Sequence, residues 1–109
     1  GIKTVKKIYQ KLVRDRIPAI IADDGKSFAT RKADEEEIIS YAFKKLHEEV
    51  QEFTEDPSAE EAADVMEIFH FLCDKLDIRD SMVMAQATSK RILRGGFEQG
   101  IILEWVDDE

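Results

Sequence analysis

Two long amphipathic segments, residues 34–55 and 58–76, meet at Asp56-Pro57, and that junction leaves the chain few folds to choose from. Proline has no N–H to donate and disfavours helical backbone at the residue before it, so the first helix must end near Glu55. Ser58 can cap a new helix at once, and Ser58-Ala-Glu-Glu61 has the capping-box spacing. So short a connection predicts antiparallel neighbours. On a wheel of roughly 100° per residue, Ile39, Ala42, Phe43, Leu46, Val50 and Phe53 share one face of the first helix. Val65, Ile68, Phe69, Leu72 and Leu76 share one face of the second. These two faces are expected to meet.

The rest of the chain is read around that hairpin. "RDRIPAIIADDG" predicts a short helix, with Pro18 in its first turn, Asp15 as a cap and the turn residues at 23–25 closing it. A third main helix is expected from Asp80 to just before Gly95-Gly96. "KSFATRKA" alternates like a short strand, and "GFEQGIILEWV" has the composition to pair with it. The expected fold is mostly α: a single-domain bundle of about three main helices, a short N-terminal helix and a small β appendage. Met66, Phe69, Phe71 and Cys73 leave the 58–76 helix apolar over much of its circumference, which fits burial by a partner chain in an oligomer.

With 109 residues, 43% of them hydrophobic, the chain can bury one core. Its net charge of −8 disfavours binding to a nucleic-acid polymer. No apolar run is long enough to span a membrane, and no segment has the pattern of a signal peptide. Cys73 is the one cysteine, so there is no internal disulfide, and a lone thiol fits the cytoplasm and a place in the core.

The acids are less ordinary. Carboxylates normally lie opposite the core, because burying an unpaired charge is costly. Here Glu49 falls on the flank of the apolar face, with Glu52 one turn on, while Glu61 lies within the facing stripe and Asp64 at its edge. In an antiparallel hairpin, residues whose numbers share one sum lie level: Glu52 with Glu61, and Glu49 with Asp64. Four carboxylates then converge. Together they would repel strongly unless protonated or neutralised, and a hard divalent cation with all-oxygen ligands is the natural neutraliser. A rival site, the Glu67-x-x-His70 pair, has di-iron spacing, but the chain has only one such pair and it lies on the other side of the helix.

"EEVQE" followed by "EAAD" resembles the E-E-x-x-E and E-x-x-D motifs of the all-α nucleoside triphosphate pyrophosphohydrolases. That superfamily includes MazG-like enzymes, phosphoribosyl-ATP pyrophosphohydrolase and dimeric dUTPases. "YQKLVRDRIPAII" and "RILRGGFEQGIIL" resemble the flanks of its phosphoribosyl-ATP pyrophosphohydrolase-like branch. The resemblance implies Mg²⁺, or Mn²⁺, held by Glu49, Glu52, Glu61 and Asp64, and a homodimer or dimer of dimers. Glu48 matches the first glutamate of the motif and, with Glu49, would serve catalysis. The implied reaction splits a nucleotide between its α and β phosphates into a monophosphate and pyrophosphate. House-cleaning of nucleotide pools is the expected role; the histidine-pathway reaction on phosphoribosyl-ATP is an alternative.

Phosphates also need cations. Lys11, Arg14 and Arg16 form one basic cluster, and Lys90, Arg91 and Arg94 another. Arginine forks suit phosphate oxygens, although the same residues could balance nearby acids in ion pairs. Phe97 reads as a core strand residue or a stacking platform, and Tyr9 and Trp105 as core or interface residues. A non-catalytic helical dimerisation or metal-sensing module is the competing reading of the same pattern.

Overall fold

The computed structural model of the chain describes residues 5–108. Its helices are α1 (Ile17–Asp23), α2 (Glu35–Glu55), α3 (Ala59–Lys75) and α4 (Asp80–Arg94). The chain forms two compact units, Gly1–Asp77 with α1 to α3 and Ile78–Glu109 with α4.

In the first unit, local chemistry sets most helix ends. The Asp34 carboxylate accepts the Glu37 N–H at 2.8 Å and caps α2, while Glu35, Glu36 and Glu37 sit in its first turn, where the helix dipole favours acids. The Arg31 guanidinium forks onto the Glu37 carboxylate at 2.6 and 2.8 Å and bends the preceding loop onto the helix start. Ser58 Oγ accepts the Glu61 N–H at 3.2 Å and opens α3. At its other end Asp77 takes the left-handed conformation, φ 57°. The expected cap on α1 is not formed: Arg16 takes the N-cap position with no side-chain hydrogen bond. The Ile17 N–H instead donates to the Arg14 carbonyl at 3.0 Å, so backbone turn geometry starts this helix where Asp15 was expected to.

α2 and α3 pack on each other as the hairpin the junction requires. Ala42 is fully buried between Ile68 and Leu72, and Leu12, Leu46 and Phe71 close around them. Cys73 is buried nearby, as expected. A small residue at Ala42 lets the helices approach, and the two aliphatic side chains supply about 1.5–3 kcal/mol each on burial. The remainder of the expected stripes is only half covered. Phe43, Val50, Phe53, Phe69 and Leu76 are each more than a third exposed, because the hairpin covers one flank of each helix and leaves the other bare.

The β appendage is not formed: the described residues contain no strand. The candidate segments are tied elsewhere, one by the Arg31–Glu37 fork and the other by an ion pair of Arg91 with Glu98 at 2.6 Å and a turn from the Gly100 N–H to the Phe97 carbonyl. In the second unit α4 stops at Gly95, whose backbone (φ 80°, ψ 178°) is open to glycine almost alone. No described residue of this unit is buried. Phe97 is 99% exposed and Trp105 78%, so neither is a core residue, and Tyr9 in the first unit is exposed as well. Among the described residues no helix is long and apolar enough to cross a membrane.

Candidate metal centre

The hairpin sets Glu49 of α2 against Glu61 and Asp64 of α3. Each offers one carboxylate oxygen, and these three oxygens lie within 4.8 Å of one another. Three of the four expected ligands are thus brought together. Glu52, half-buried, lies beside the group and not within it.

The cluster is held at an electrostatic cost. Glu49 is 5% exposed, and the Oε2 atoms of both Glu49 and Glu61 are buried with no hydrogen-bond partner. The Ser58–Glu61 capping box is therefore only half made, since the serine caps the glutamate N–H while this carboxylate oxygen goes unpaired. Burial first, then the charges of Asp64 and Glu49, push the Glu61 carboxyl above the ordinary glutamate range. Glu52 is pushed up chiefly by its hydrogen-bonding approach to the Glu49 carboxylate, then by that charge, by burial and by Glu61. Buried polar atoms are rarely left unpaired, and carboxylate oxygens crowded together call for a shared cation.

The donor set defines which cation fits. With three carboxylates and neither histidine nor cysteine in the group, the chemistry matches hard, oxygen-seeking ions such as Mg²⁺ or Mn²⁺. Among the described residues this is the one group with metal-ligand geometry. Glu67 and His70 are exposed and lie outside it; His70 stands edge-on to Phe69, with ring centroids 6.1 Å apart.

Cations reach the cluster from the N-terminal segment. Arg14 donates to Asp64 Oδ1 at 2.7 Å, and Lys11 donates to Glu48 Oε1 at 3.0 Å. Glu48 lies on the outer side of the group and takes a second cation, Lys45, at 3.6 Å. Burial works to raise its pKa, but Lys11 and Lys45 outweigh it and hold the carboxyl below the ordinary range. Arg16 is exposed and has no ion-pair partner among the described residues. Lys90, Arg91 and Arg94 belong to the second unit, where all three are exposed and Arg91 binds Glu98. The side chains of Arg91 and Glu98 also fill the space beside Gly96.

Lys45 is a further residue of the site, beyond those expected from the sequence. Its side chain is 18% exposed, and Nζ lies 3.1 Å from Glu49 Oε1. The signal was present in the spacing, three residues before Glu48 and four before Glu49, where helical side chains meet. Paired with Lys44, it reads as part of a solvated face.

No family model matches the chain, and neither a curated protein nor a solved structure is matched by it.

Proposed function

We propose that the chain is a Mg²⁺-dependent nucleotide pyrophosphohydrolase whose metal centre is the α2–α3 carboxylate cluster. The observation that carries this reading is the pair of buried, unpartnered oxygens on Glu49 and Glu61 within one group of carboxylates. The motif resemblance supplies the reaction class. Mn²⁺ serves the same donor set, and a cytoplasmic location suits both the nucleotide substrate and the free thiol of Cys73.

Glu49, Glu61 and Asp64 would hold the ion, with Glu52 completing the set from beside Glu49. When bound, Mg²⁺ would offset phosphate charge and make a coordinated water more acidic. Water adds in line at phosphorus, the bond to the departing pyrophosphate oxygen breaks, and the water proton passes to a carboxylate. Glu48, kept ionised by Lys11 and Lys45, is the chain's candidate acceptor, as its place in the motif suggests. Arg14 has the fork to bind a phosphate oxygen, and Lys11 and Arg16 add charge on the same segment. Lys90, Arg91 and Arg94 of the second unit are proposed as phosphate-binding residues in their own right.

The proposed assembly is a homodimer or a dimer of dimers. Its support is the bare apolar surface: Phe43, Val50 and Phe53 on α2, Met66 and Phe69 on α3, and a second unit with no buried residue among those described. The same surface favours the second reading, a non-catalytic dimerisation module. The two separate in one assay: pyrophosphate release from canonical and damaged nucleoside triphosphates, deoxynucleotides and phosphoribosyl-ATP, with Mg²⁺ and with EDTA. Mg²⁺-dependent release from one substrate class is expected. Silence across the panel from folded protein would contradict the enzyme and leave the module.

A further inference from the structure

The cations around the cluster divide it into two sides. On one side lie Glu49 Oε2 and Glu61 Oε2, which have no hydrogen-bond partner, and Asp64, which pairs with Arg14 at 2.7 Å. On the other lies Glu48, outside the three-carboxylate group and already bound by two ammonium groups, Lys11 at 3.0 Å and Lys45 at 3.6 Å. Lys45 spans the boundary, since it also reaches Glu49 Oε1 at 3.1 Å and is itself largely buried. A partly buried lysine between two carboxylates occupies the kind of place that a second divalent ion takes in a two-metal site.

The charge count agrees. Glu48, Glu49, Glu52, Glu61 and Asp64 contribute five negative charges when ionised, and Lys11, Arg14 and Lys45 contribute three positive ones. Two negative charges are left over, the amount that one divalent ion neutralises. A second ion would leave the centre net positive with the lysines in place, or would have to expel Lys45 from a largely buried position.

We infer that Lys45 is a built-in counter-ion that fixes the centre at one divalent ion per chain by occupying the Glu48–Glu49 side. The inference rests on the metal-centre reading and adds to it a number and a positioning residue. Lys45 thereby keeps Glu48 from becoming a metal ligand, which is what leaves that carboxylate available as a proton acceptor.

The test counts bound Mn²⁺ by electron paramagnetic resonance and calorimetry, with no nucleotide present. Wild-type protein is expected to bind one Mn²⁺ per chain. Lys45→Met, which keeps the apolar stem and removes the charge, is expected to bind two, and K45M/E48Q to return to one. Two ions in the wild type, or one in a folded K45M, would overturn the inference and leave the metal centre standing. No ion in the wild type would remove both together. Two ions in the wild type overturn the inference without any variant, and where K45M fails to fold, Lys45→Gln is expected to give the same count of two, a count of one in it overturning the inference equally.

Discussion

Glu61 serves two purposes that pull against each other: its N–H starts α3 on Ser58, while its carboxylate is driven into a group of like charges. This makes it the most informative single residue for stability. Glu52 and Glu61 carry pKa values raised above the ordinary 4.5, so the folded state holds their protons more tightly than the unfolded chain. Their contribution is present below that ordinary value and is lost as pH rises through the raised ones. Glu37, Glu48 and Glu98 are lowered, so theirs is present above the ordinary value and is lost as pH falls. The metal-free protein should therefore be more stable in mild acid than at neutral pH, and Glu61→Gln should raise its neutral-pH melting temperature. Thermal unfolding in EDTA across pH checks this; an unchanged or lower neutral melting temperature in E61Q would contradict it. Glu49, Glu61 and Asp64 were legible in the sequence because acids on an apolar flank break the usual pattern. The partners of Lys11 and Arg14 were not, because they lie 37 and 50 residues away and follow from tertiary placement alone.

At the scale of the helix, the hairpin depends on its junction and on a very small core. Ser58→Ala removes the α3 cap and should cost about 1 kcal/mol. Leu72→Ala empties a site that is 3% exposed and should cost about 2–5 kcal/mol. Asp77→Gly relieves a left-handed residue at the end of α3 and should gain up to about 1 kcal/mol. Urea unfolding at one pH measures all three, and a neutral L72A would contradict the core assignment. The three main helices follow their sequence signals within about two residues, because caps, the proline break and apolar periodicity all act locally. The strands do not, because 27–33 and 96–106 have strand composition but each needs a partner edge that no local signal supplies.

For the whole molecule, what the sequence could not convey is how little of the apolar surface one chain covers. Phe43, Val50, Phe53, Met66 and Phe69 read as core or interface alike, and periodicity does not distinguish the two. With Ile92 and Leu93 also more than three-quarters exposed, the proposed assembly predicts a dimer or tetramer by sedimentation at micromolar concentration. A monomer would contradict it.

Mg²⁺-dependent thermal stability tests most directly whether the carboxylate hairpin is a divalent-metal centre. An ion held by Glu49, Glu61 and Asp64 binds the folded chain alone, so a concentration of 100 times the dissociation constant should add about 2.7 kcal/mol. Wild-type protein should melt progressively higher as MgCl₂ rises at constant ionic strength, while Glu49→Gln and Asp64→Asn lose most of that shift. Equal shifts in wild type and both variants, or none in any, would contradict a metal centre at this site.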